Sequence, residues 1–470
     1  MAVSEPARPA QGIIGLVRES LSGSDQDYTT GDLGRSILLL AIPMILEMLM
    51  ESLFGIVDAF FVSGLGTQAV AAVALTEAIL TIIFGVAIGL SMAATAMVAR
   101  RMGEKDQGGA SIAAVQAIWI GIFCAVPVAL GGLIYAPELL RLMGGDEHVI
   151  RTGTIYTRTI LGGCVTVFLL FLNNAIFRGA GDAAIAMRAL WISNLINIIL
   201  NPCLIRGWGP FPELGLLGSA VGTTIGRGCG VAFQFWVLFG GMSRLTVNRS
   251  QIGVDFPVLW KLARVSATGI AQFLVSTASW LGLVRIIALS GAAALAGYML
   301  ALRMVIFIIL PAWGLCNAAA TMVGQSLGAG KPDRAEKAVY AAGRYNMAFL
   351  MTVALGFIFG AEHLLRIFSS DPEVIRYGVA CLRYVSYGYG FYAWGMVTVQ
   401  AFNGAGDTTT PTLINLACQW ALQIPLAWAL SSGLGLGATG VFAAMTISES
   451  VLALIGLWAF RRGSWKEQKI

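Results

Sequence analysis

The sequence is poor in charge and nearly lacks histidine. Charged residues make up 12% of its 470 residues and hydrophobic residues 57%, which excludes a soluble globular protein and indicates a membrane protein with many spans. The two histidines, His148 and His363, fall in loops between apolar runs, so no metal or haem site is predicted within the bundle. The seven cysteines are scattered singly, without a CxxC pair, and we interpret them as small core residues.

The first part of the sequence also lacks the pattern of a targeting segment. The first 35 residues are polar and contain no apolar core followed by a small-residue cleavage site, which predicts that there is no signal peptide. The net charge of +5 is small and gives no indication of nucleic-acid binding.

Long apolar runs are abundant and predict twelve transmembrane helices, called spans 1 to 12. They start near residues 36, 68, 110, 152, 185, 218, 265, 293, 338, 375, 409 and 437. Because twelve is even, both termini lie on one side of the membrane. The loops and C-terminal tail on that side carry seventeen Lys and Arg residues and the other loops carry five, which predicts cytoplasmic termini by the positive-inside rule.

An internal repeat relates the two halves of the chain. The run FRGAGD at 177–182 recurs as FNGAGD at 402–407, and the displacement from Phe177 to Phe402 is called here the repeat offset. Two glycine pairs keep this offset, Gly66 with Gly291 and Gly103 with Gly328. Six spans separate the copies, so both halves have the same orientation. The predicted fold is an all-α polytopic membrane protein with two parallel six-helix lobes, related by a pseudo-two-fold axis along the membrane normal.

The predicted organisation has five parts. They are a cytoplasmic N-terminal segment (1–35), the N-lobe with spans 1–6 (36–241), a cytoplasmic linker (242–264), the C-lobe with spans 7–12 (265–461) and a cytoplasmic tail (462–470). The linker is the only long polar connection in mid-chain, and its VDFPVLWKLAR part suits an amphipathic helix on the membrane surface. In the GAGD turns, Asp182 and Asp407 are expected to cap the helices that follow.

Three carboxylates interrupt the first apolar run, at Glu47, Glu51 and Asp58. A charge at bilayer depth costs at least ~2.5–3.5 kcal/mol, so such residues face a bundle interior, a partner or water. At about 100° per residue the three fall within roughly 40° of one another, on one face of the helix. We predict that this face lines the interior. The alternatives are a buried structural pair for Asp58 and Glu51, and a bond from Glu47 to a neighbouring Ser or Thr.

These features together resemble the multidrug and toxic compound extrusion (MATE) transporters. The resemblance rests on span 1 (PMILEMLMESLFGIVDAFFVSGLG), the loop starts ARRMG and GQSLGAG, FRGAGD after span 4, NIILNP in span 5 and the parallel duplication. It implies an antiporter of the bacterial inner membrane. Such a protein exchanges protons or sodium ions for organic, often cationic, compounds by rocking two lobes around a cleft. No cofactor is implied, and a monomer is expected.

The family's cation site, carried over by resemblance, falls on Asp58, on Asn174 (or Asn173) and on Asn197. Where related members carry an aspartate four residues after Asn197, this chain has Asn201, so one carboxylate of the site is missing. Glu51 is the candidate for a relocated acid. The expected cation-coupling set is therefore Asp58, Glu51, Asn174, Asn197, Asn201 and Glu47.

The second lobe lacks the acids of span 1. One repeat offset after Glu47, Glu51 and Asp58, the chain carries Gln272, Ser276 and Leu283. This predicts that the first lobe binds the coupling ion and that the second contacts substrate. The predicted cleft residues are Gln272, Trp280, Tyr298, Tyr387 and Tyr392. The rings of the four aromatic residues can attract a cation. The alternative for the aromatics of span 10 is an interfacial belt.

Four more charges lie deep in apolar runs. The position equivalent to Glu77 in the second lobe is 302, which is next to Arg303. The position equivalent to Arg227 is 452, which lies within one helical turn of Glu449. We therefore predict structural ion pairs of Glu77 with Arg227 and of Arg303 with Glu449.

Two other functional classes compete with the exporter. A flippase for lipid-linked saccharides shares the superfamily fold, but the acidic face of span 1 argues against the cationic cavity of such proteins. A polytopic membrane enzyme is disfavoured because no His/Asp or Cys/His constellation is present.

Overall fold

The computed structural model describes residues 12–23, 26–468 and 470. Residues 1–11, 24 and 25 of the predicted N-terminal segment and position 469 of the predicted tail lie outside the described residues. Within the described part, the segment before span 1 contains the helix Ile13–Ser22, which the sequence analysis did not predict.

The described chain contains twelve helical segments of membrane-spanning length, which keep the numbers of the predicted spans. They are Leu33–Ser63, Thr67–Gly103, Gln107–Leu142, Glu147–Ala180 (interrupted at Gly163), Ala183–Arg206, Leu216–Phe239, Phe256–Ala288, Ala292–Gly328, Pro332–Arg366, Pro372–Ala405, Thr409–Gly433 and Gly437–Arg462. Ten meet both the length and the hydropathy expected of a membrane span. The others, spans 6 and 10, have 24 and 34 residues, which is long enough to cross the hydrocarbon core.

Aspartates at the ends of polar turns start five of the spans. The side chains of Asp32, Asp106, Asp146, Asp255 and Asp371 each accept a hydrogen bond from a backbone N–H two or three residues later. Each bond satisfies a donor that the helix itself leaves free. Turn chemistry therefore sets where these helices begin.

The two GAGD turns use their aspartates differently. Asp407 caps span 11 as predicted, accepting hydrogen bonds from the Thr410 N–H (3.0 Å) and hydroxyl (2.6 Å). Asp182 makes no such cap. It accepts instead from the Ser243 hydroxyl (2.6 Å) and the Arg244 N–H (2.8 Å), and so fastens the linker to the N-lobe.

The amphipathic helix expected in the linker is not a separate element. Its FPVLWKLAR residues form the first turns of span 7, which runs unbroken over Phe256–Ala288. The rest of the linker contains only the short 3-10 turn Arg249–Gln251. Helix geometry favours continuation here because Asp255 supplies the cap and Pro257 occupies the first turn.

The lobes meet through reciprocal glycine contacts on the side where span 1 begins and span 12 ends, called here the termini side. A Cβ added to Gly103 at the end of span 2 would lie 2.0 Å from the Gln325 carbonyl oxygen of span 8. One added to Gly328 at the end of span 8 would lie 2.0 Å from the Arg100 carbonyl oxygen of span 2. Each contact is the other shifted by the repeat offset, so the duplication produces a self-complementary interface.

Hydrogen bonds reinforce this interface. The Thr321 hydroxyl of span 8 donates to the Arg178 carbonyl at 3.1 Å, and the Gln325 amide donates to the Gly179 carbonyl at 2.9 Å. The backbone of residues 28–31 adds a third connection, because Arg334 of the C-lobe donates to its carbonyl oxygens at 2.7–3.0 Å.

Electrostatic attraction at Asp27 also holds the segment before span 1 against the lobes. Burial alone would raise the pKa of Asp27, but hydrogen bonds from Thr29 and the nearby charges of Lys105 and Lys331 outweigh it and hold the pKa below its usual value. Lys105 belongs to the N-lobe and Lys331 to the C-lobe. An ionised Asp27 therefore attracts a cation of each lobe to the segment before span 1.

The opposite ends of the lobes border an open cleft. Glu77 of span 2 and Arg303 of span 8 are exposed at positions within the far-side halves of their helices. Charged side chains at that depth cannot face lipid, so they face a water-filled space between the lobes. The predicted all-α, two-lobe membrane fold is thus confirmed, with the lobes joined on the termini side.

The glycine contact gives a first prediction. Replacing Gly328 with Ala forces spans 2 and 8 apart, because the clash is with a backbone oxygen that cannot rotate away. Overpacking of this kind costs about 1–3 kcal/mol. We expect Gly328→Ala to lower the thermal unfolding midpoint of the purified protein by a few degrees.

The matched control is Gly356→Ala in span 9, where an added Cβ meets nothing within 4 Å. This change should leave the midpoint unchanged or raise it slightly, because alanine is the better helix former. Equal midpoints for the two variants would contradict the close-contact interpretation.

Candidate ion and substrate sites

Glu47 of span 1 is held by two side chains near the end of span 4. The Asn174 amide donates a 2.9 Å hydrogen bond to Oε1, and the Arg178 guanidinium makes a 2.9 Å salt bridge to the same oxygen. Gln234 of span 6 donates in turn to Asn174 Oδ1 at 2.6 Å. Glu47 is only 1% exposed, so these bonds offset the cost of burying its charge.

Asp58 lies at the other end of span 1 and has neutral partners. Its Oδ1 accepts hydrogen bonds from the Asn201 amide and the Ser219 hydroxyl, both at 3.0 Å. The Asn201 amide also donates to Asn197 Oδ1 at 3.3 Å, and the Asn197 amide donates to the Thr223 hydroxyl at 3.0 Å. The result is a chain of uncharged groups from spans 5 and 6 that ends on one carboxylate.

The predicted cation-coupling set is therefore split between two places. Asp58, Asn201 and Asn197 come together, whereas Asn174 contacts Glu47 instead of Asp58. The two carboxylates are eleven residues apart on one helix, a rise of roughly 16 Å. The expectation of a single site containing both Asp58 and Asn174 is corrected accordingly.

Glu51 lies between these clusters on span 1, and Arg227 of span 6 supplies a charge of opposite sign that acts on it. The positive charge of Arg227 acts on both Glu51 and Asp58. Its guanidinium also lies over the Phe54 ring (5.4 Å) and the Phe84 ring (5.7 Å). Aromatic faces and two carboxylates thus stabilise this deep cation without a close salt bridge.

The structure does not form the two predicted ion pairs. Among the described residues, no salt bridge within 4.0 Å joins Glu77 to Arg227 or Arg303 to Glu449. The charge of Arg227 acts on the acids of span 1, and the charge of Arg303 attracts Glu77 of the other lobe. The repeat offset identified equivalent positions in the two lobes, but equivalent positions are not thereby in contact.

Two cavities are lined by residues of both lobes. One, of about 210 Å³, is lined by Glu47, Glu51, Asn174 and Arg178 on the N-lobe side. The other, of about 490 Å³, lies mainly within the C-lobe. Its volume falls in the usual range for sites that bind small organic molecules.

Three of the five predicted cleft residues line the larger cavity: Gln272, Trp280 and Tyr392. Tyr298 is buried behind it, where its hydroxyl oxygen accepts a 2.9 Å hydrogen bond from the Trp280 indole N–H. Tyr387 is 60% exposed and lines neither cavity, so its assignment to the cleft is corrected. Helix rotation explains the difference, because a separation of five residues places Tyr387 and Tyr392 on different faces of span 10.

Sequence reasoning missed several participants. Gln234, Ser219 and Thr223 are small or neutral polar residues of span 6, and their only signal was polarity within an apolar helix. Arg178 was also missed as the partner of Glu47, and its only signal was a cation at the end of span 4. Glu449 was assigned to an ion pair, whereas it lines the C-lobe cavity.

Two parallel six-helix membrane lobes with cavities lined by both of them are typical of polytopic membrane transporters. The MatE family model matches residues 43–203 and 267–429, once in each lobe and over more than half of the chain. The protein therefore belongs to the MatE family of transporters.

Curated relatives align over nearly the whole chain. A probable multidrug resistance protein NorM from Thermotoga maritima is 26% identical over 442 residues, covering 93% of this chain and 94% of the relative. A FAD transporter from Shewanella oneidensis is 24% identical over 424 residues, covering 90% and 93%. A solved structure of a multidrug resistance MATE family transporter in the outward-facing conformation superposes with a TM-score of 0.87 at 24% identity, covering 94% of this chain and 98% of that one.

The Glu47 cluster gives a second prediction. Arg178→Ala leaves a buried carboxylate without its charged partner, which typically costs ~3–5 kcal/mol, whereas removing both charges is milder. We expect Arg178→Ala to lower the thermal unfolding midpoint more than the double variant Glu47→Gln, Arg178→Ala does. If the double variant instead loses the sum of the single changes, the two residues do not stabilise each other.

Proposed function

We propose that this MatE transporter exports organic compounds in exchange for protons or sodium ions. The observation that carries the proposal is the environment of Asp58. Its hydrogen-bond partners are neutral, and Asn201 Oδ1 beside it is buried without a partner in the described part of the chain. A proton or a sodium ion can add to these oxygens without breaking a salt bridge.

The carboxylates of span 1 suit a stepwise path for the coupling ion. Asp58 lies near the far end of the helix, Glu51 lies near its middle beside Arg227, and Glu47 lies closer to the termini side. Neutralising one acid changes the charge that Arg227 must balance, which links the occupancy of Asp58 to the deeper part of the lobe.

The proposed setting is the inner membrane of a bacterium, with a monomer whose termini lie in the cytoplasm. The positive-inside distribution of the loops supports this orientation. In it, the joined ends of the lobes face the cytoplasm and the cleft opens outward. Transport then requires an alternate state in which the reciprocal glycine contacts separate.

The substrate side of the proposal rests on the C-lobe. The cavity there is apolar and aromatic with a few amides, and Gln272 and Ser276 stand where the N-lobe carries acids. The relatives support organic substrates, since one is named as a multidrug resistance protein and another as a FAD transporter. No cofactor is expected beyond the coupling ion.

The third prediction tests coupling directly. Asp58→Asn keeps the size of the side chain but removes the acid, so it should abolish gradient-driven transport while the protein stays folded in the membrane. The assay is ethidium transport by inverted membrane vesicles, with a proton gradient and a sodium gradient imposed separately.

The control is Asp333→Asn, which removes an exposed carboxylate at the start of span 9. It should transport like the wild type. Undiminished coupled transport by Asp58→Asn would refute the proposal, and the gradient that drives the wild type would identify the ion.

The fourth prediction separates the lobes. Gln272→Ala removes a polar contact in the C-lobe cavity and should alter the relative rates for different substrates, with coupling retained. If Gln272→Ala uncouples transport as completely as Asp58→Asn, the ion path crosses into the C-lobe and the division of roles fails.

A further inference from the structure

Glu449 of span 12 is the acidic residue that lines the C-lobe cavity. It borders the cavity of about 490 Å³ and also a smaller one of about 170 Å³ behind it. Gln419 of span 11 lies beside its carboxylate. In the described chain, no basic side chain comes within 4.0 Å of it.

The two lobes differ in how their internal acids are balanced. In the N-lobe, Arg178 pairs with Glu47, and Arg227 acts on Glu51 and Asp58. Glu449 has no equivalent arginine among the charges that act on it within the described residues. A carboxylate in such a site gains most from a cation that enters from outside the protein.

The rest of the wall also offers acceptors. The amide oxygens of Gln272, Asn415 and Gln419 are buried, and within the described residues none of them has a hydrogen-bond partner. A ligand that satisfies them must donate N–H or O–H groups. A cavity with one carboxylate and several free acceptors therefore suits a protonated amine or amidinium better than an anion.

Aromatic rings supply the remaining surface. Trp280 and Tyr392 line the same cavity, and the bond from Trp280 to Tyr298 fixes the indole in place. Such rings can pack against a flat apolar body and attract its positive charge.

We propose that Glu449 is the specificity-determining residue of the C-lobe cavity, and that it binds the protonated amine or amidinium group of an aromatic substrate. The amide oxygens accept the remaining N–H donors, and the aromatic body lies against Trp280 and Tyr392. This assignment rests on the proposed function and identifies the residue of the same cleft that recognises the charge of its substrate.

The test compares two ligands that share one ring system and differ in the polar group attached to it. Naphthylmethylamine is protonated at neutral pH, and naphthylmethanol has the same ring system without the charge. Their affinities are measured by calorimetry on the purified full-length protein in lipid nanodiscs. The wild type should bind the amine more tightly than the alcohol.

Glu449→Gln should weaken binding of the amine by about 10- to 100-fold, the range for losing one charge of a desolvated pair, and leave the alcohol unchanged. Glu449→Asp should retain part of the preference, which keeps the test usable if the glutamine variant does not fold. The charge-matched control is Glu362→Gln on the exposed end of span 9, which should bind both ligands like the wild type.

Two results would overturn the assignment: equal loss of both ligands in Glu449→Gln, or an unchanged preference for the amine. The readout is binding, so it does not depend on coupling. If the wild type shows the charge preference but no gradient drives transport, the proposed function fails while the Glu449 assignment stands. If transport is coupled but Glu449→Gln binds like the wild type, only the assignment fails.

Discussion

A charge inside a bilayer needs a partner or water, and this requirement organises the N-lobe around span 1. Three acids on one helix face force that face inward. Spans 4, 5 and 6 then surround it with donors: Arg178 with Glu47, and Asn201 and Ser219 with Asp58. These contacts are needed because leaving one buried charge without its partner typically costs ~3–5 kcal/mol.

The fold was predictable because its signals are repeated along the chain. The apolar runs predicted twelve spans, and the repeat offset, which covers six of them, predicted two parallel lobes. The reciprocal contacts of Gly103 and Gly328 show why the offset persists at those positions, since a side chain on either glycine would strike the backbone of the other lobe. The other pair at this offset, Gly66 and Gly291, has positive φ and no neighbour within 4 Å of an added Cβ, so the repeat alone did not show which pair marks an interface.

The candidate site was predictable in its residue types and less so in its contacts. Spans 1 and 5 run in the same direction, and Trp191 to Leu46, Asn194 to Met50 and Asn201 to Asp58 keep nearly one register. That register depends on tilt and packing, which no single helix encodes. It selects Asn201 as the direct partner of Asp58 and leaves Asn197 one turn away.

Simple geometry does account for Asn174. Span 4 runs opposite to span 1, so Asn174 is six residues from the termini-side end of its helix, whereas Asp58 is five residues from the far-side end of its own. Asn174 therefore meets Glu47, and the rise of roughly 16 Å from Glu47 to Asp58 is about half of the hydrocarbon thickness. The failure of the predicted ion pairs has another cause, since a repeat relates positions by symmetry and says nothing about which side chains meet.

The duplication has left two lobes with one scaffold and different chemistry. The N-lobe keeps its acids next to arginines and amides, an arrangement in which adding one small cation shifts an existing balance of charge. The C-lobe has neutral residues in span 7 at the positions of those acids and carries aromatic rings, unsatisfied amide oxygens and Glu449 around a larger cavity. A small ion cannot fill that space or contact its rings, whereas an organic molecule can. Under the proposed function, the symmetric interface joins an ion-binding lobe to a substrate-binding lobe, so a movement at the shared glycine contacts changes both sites.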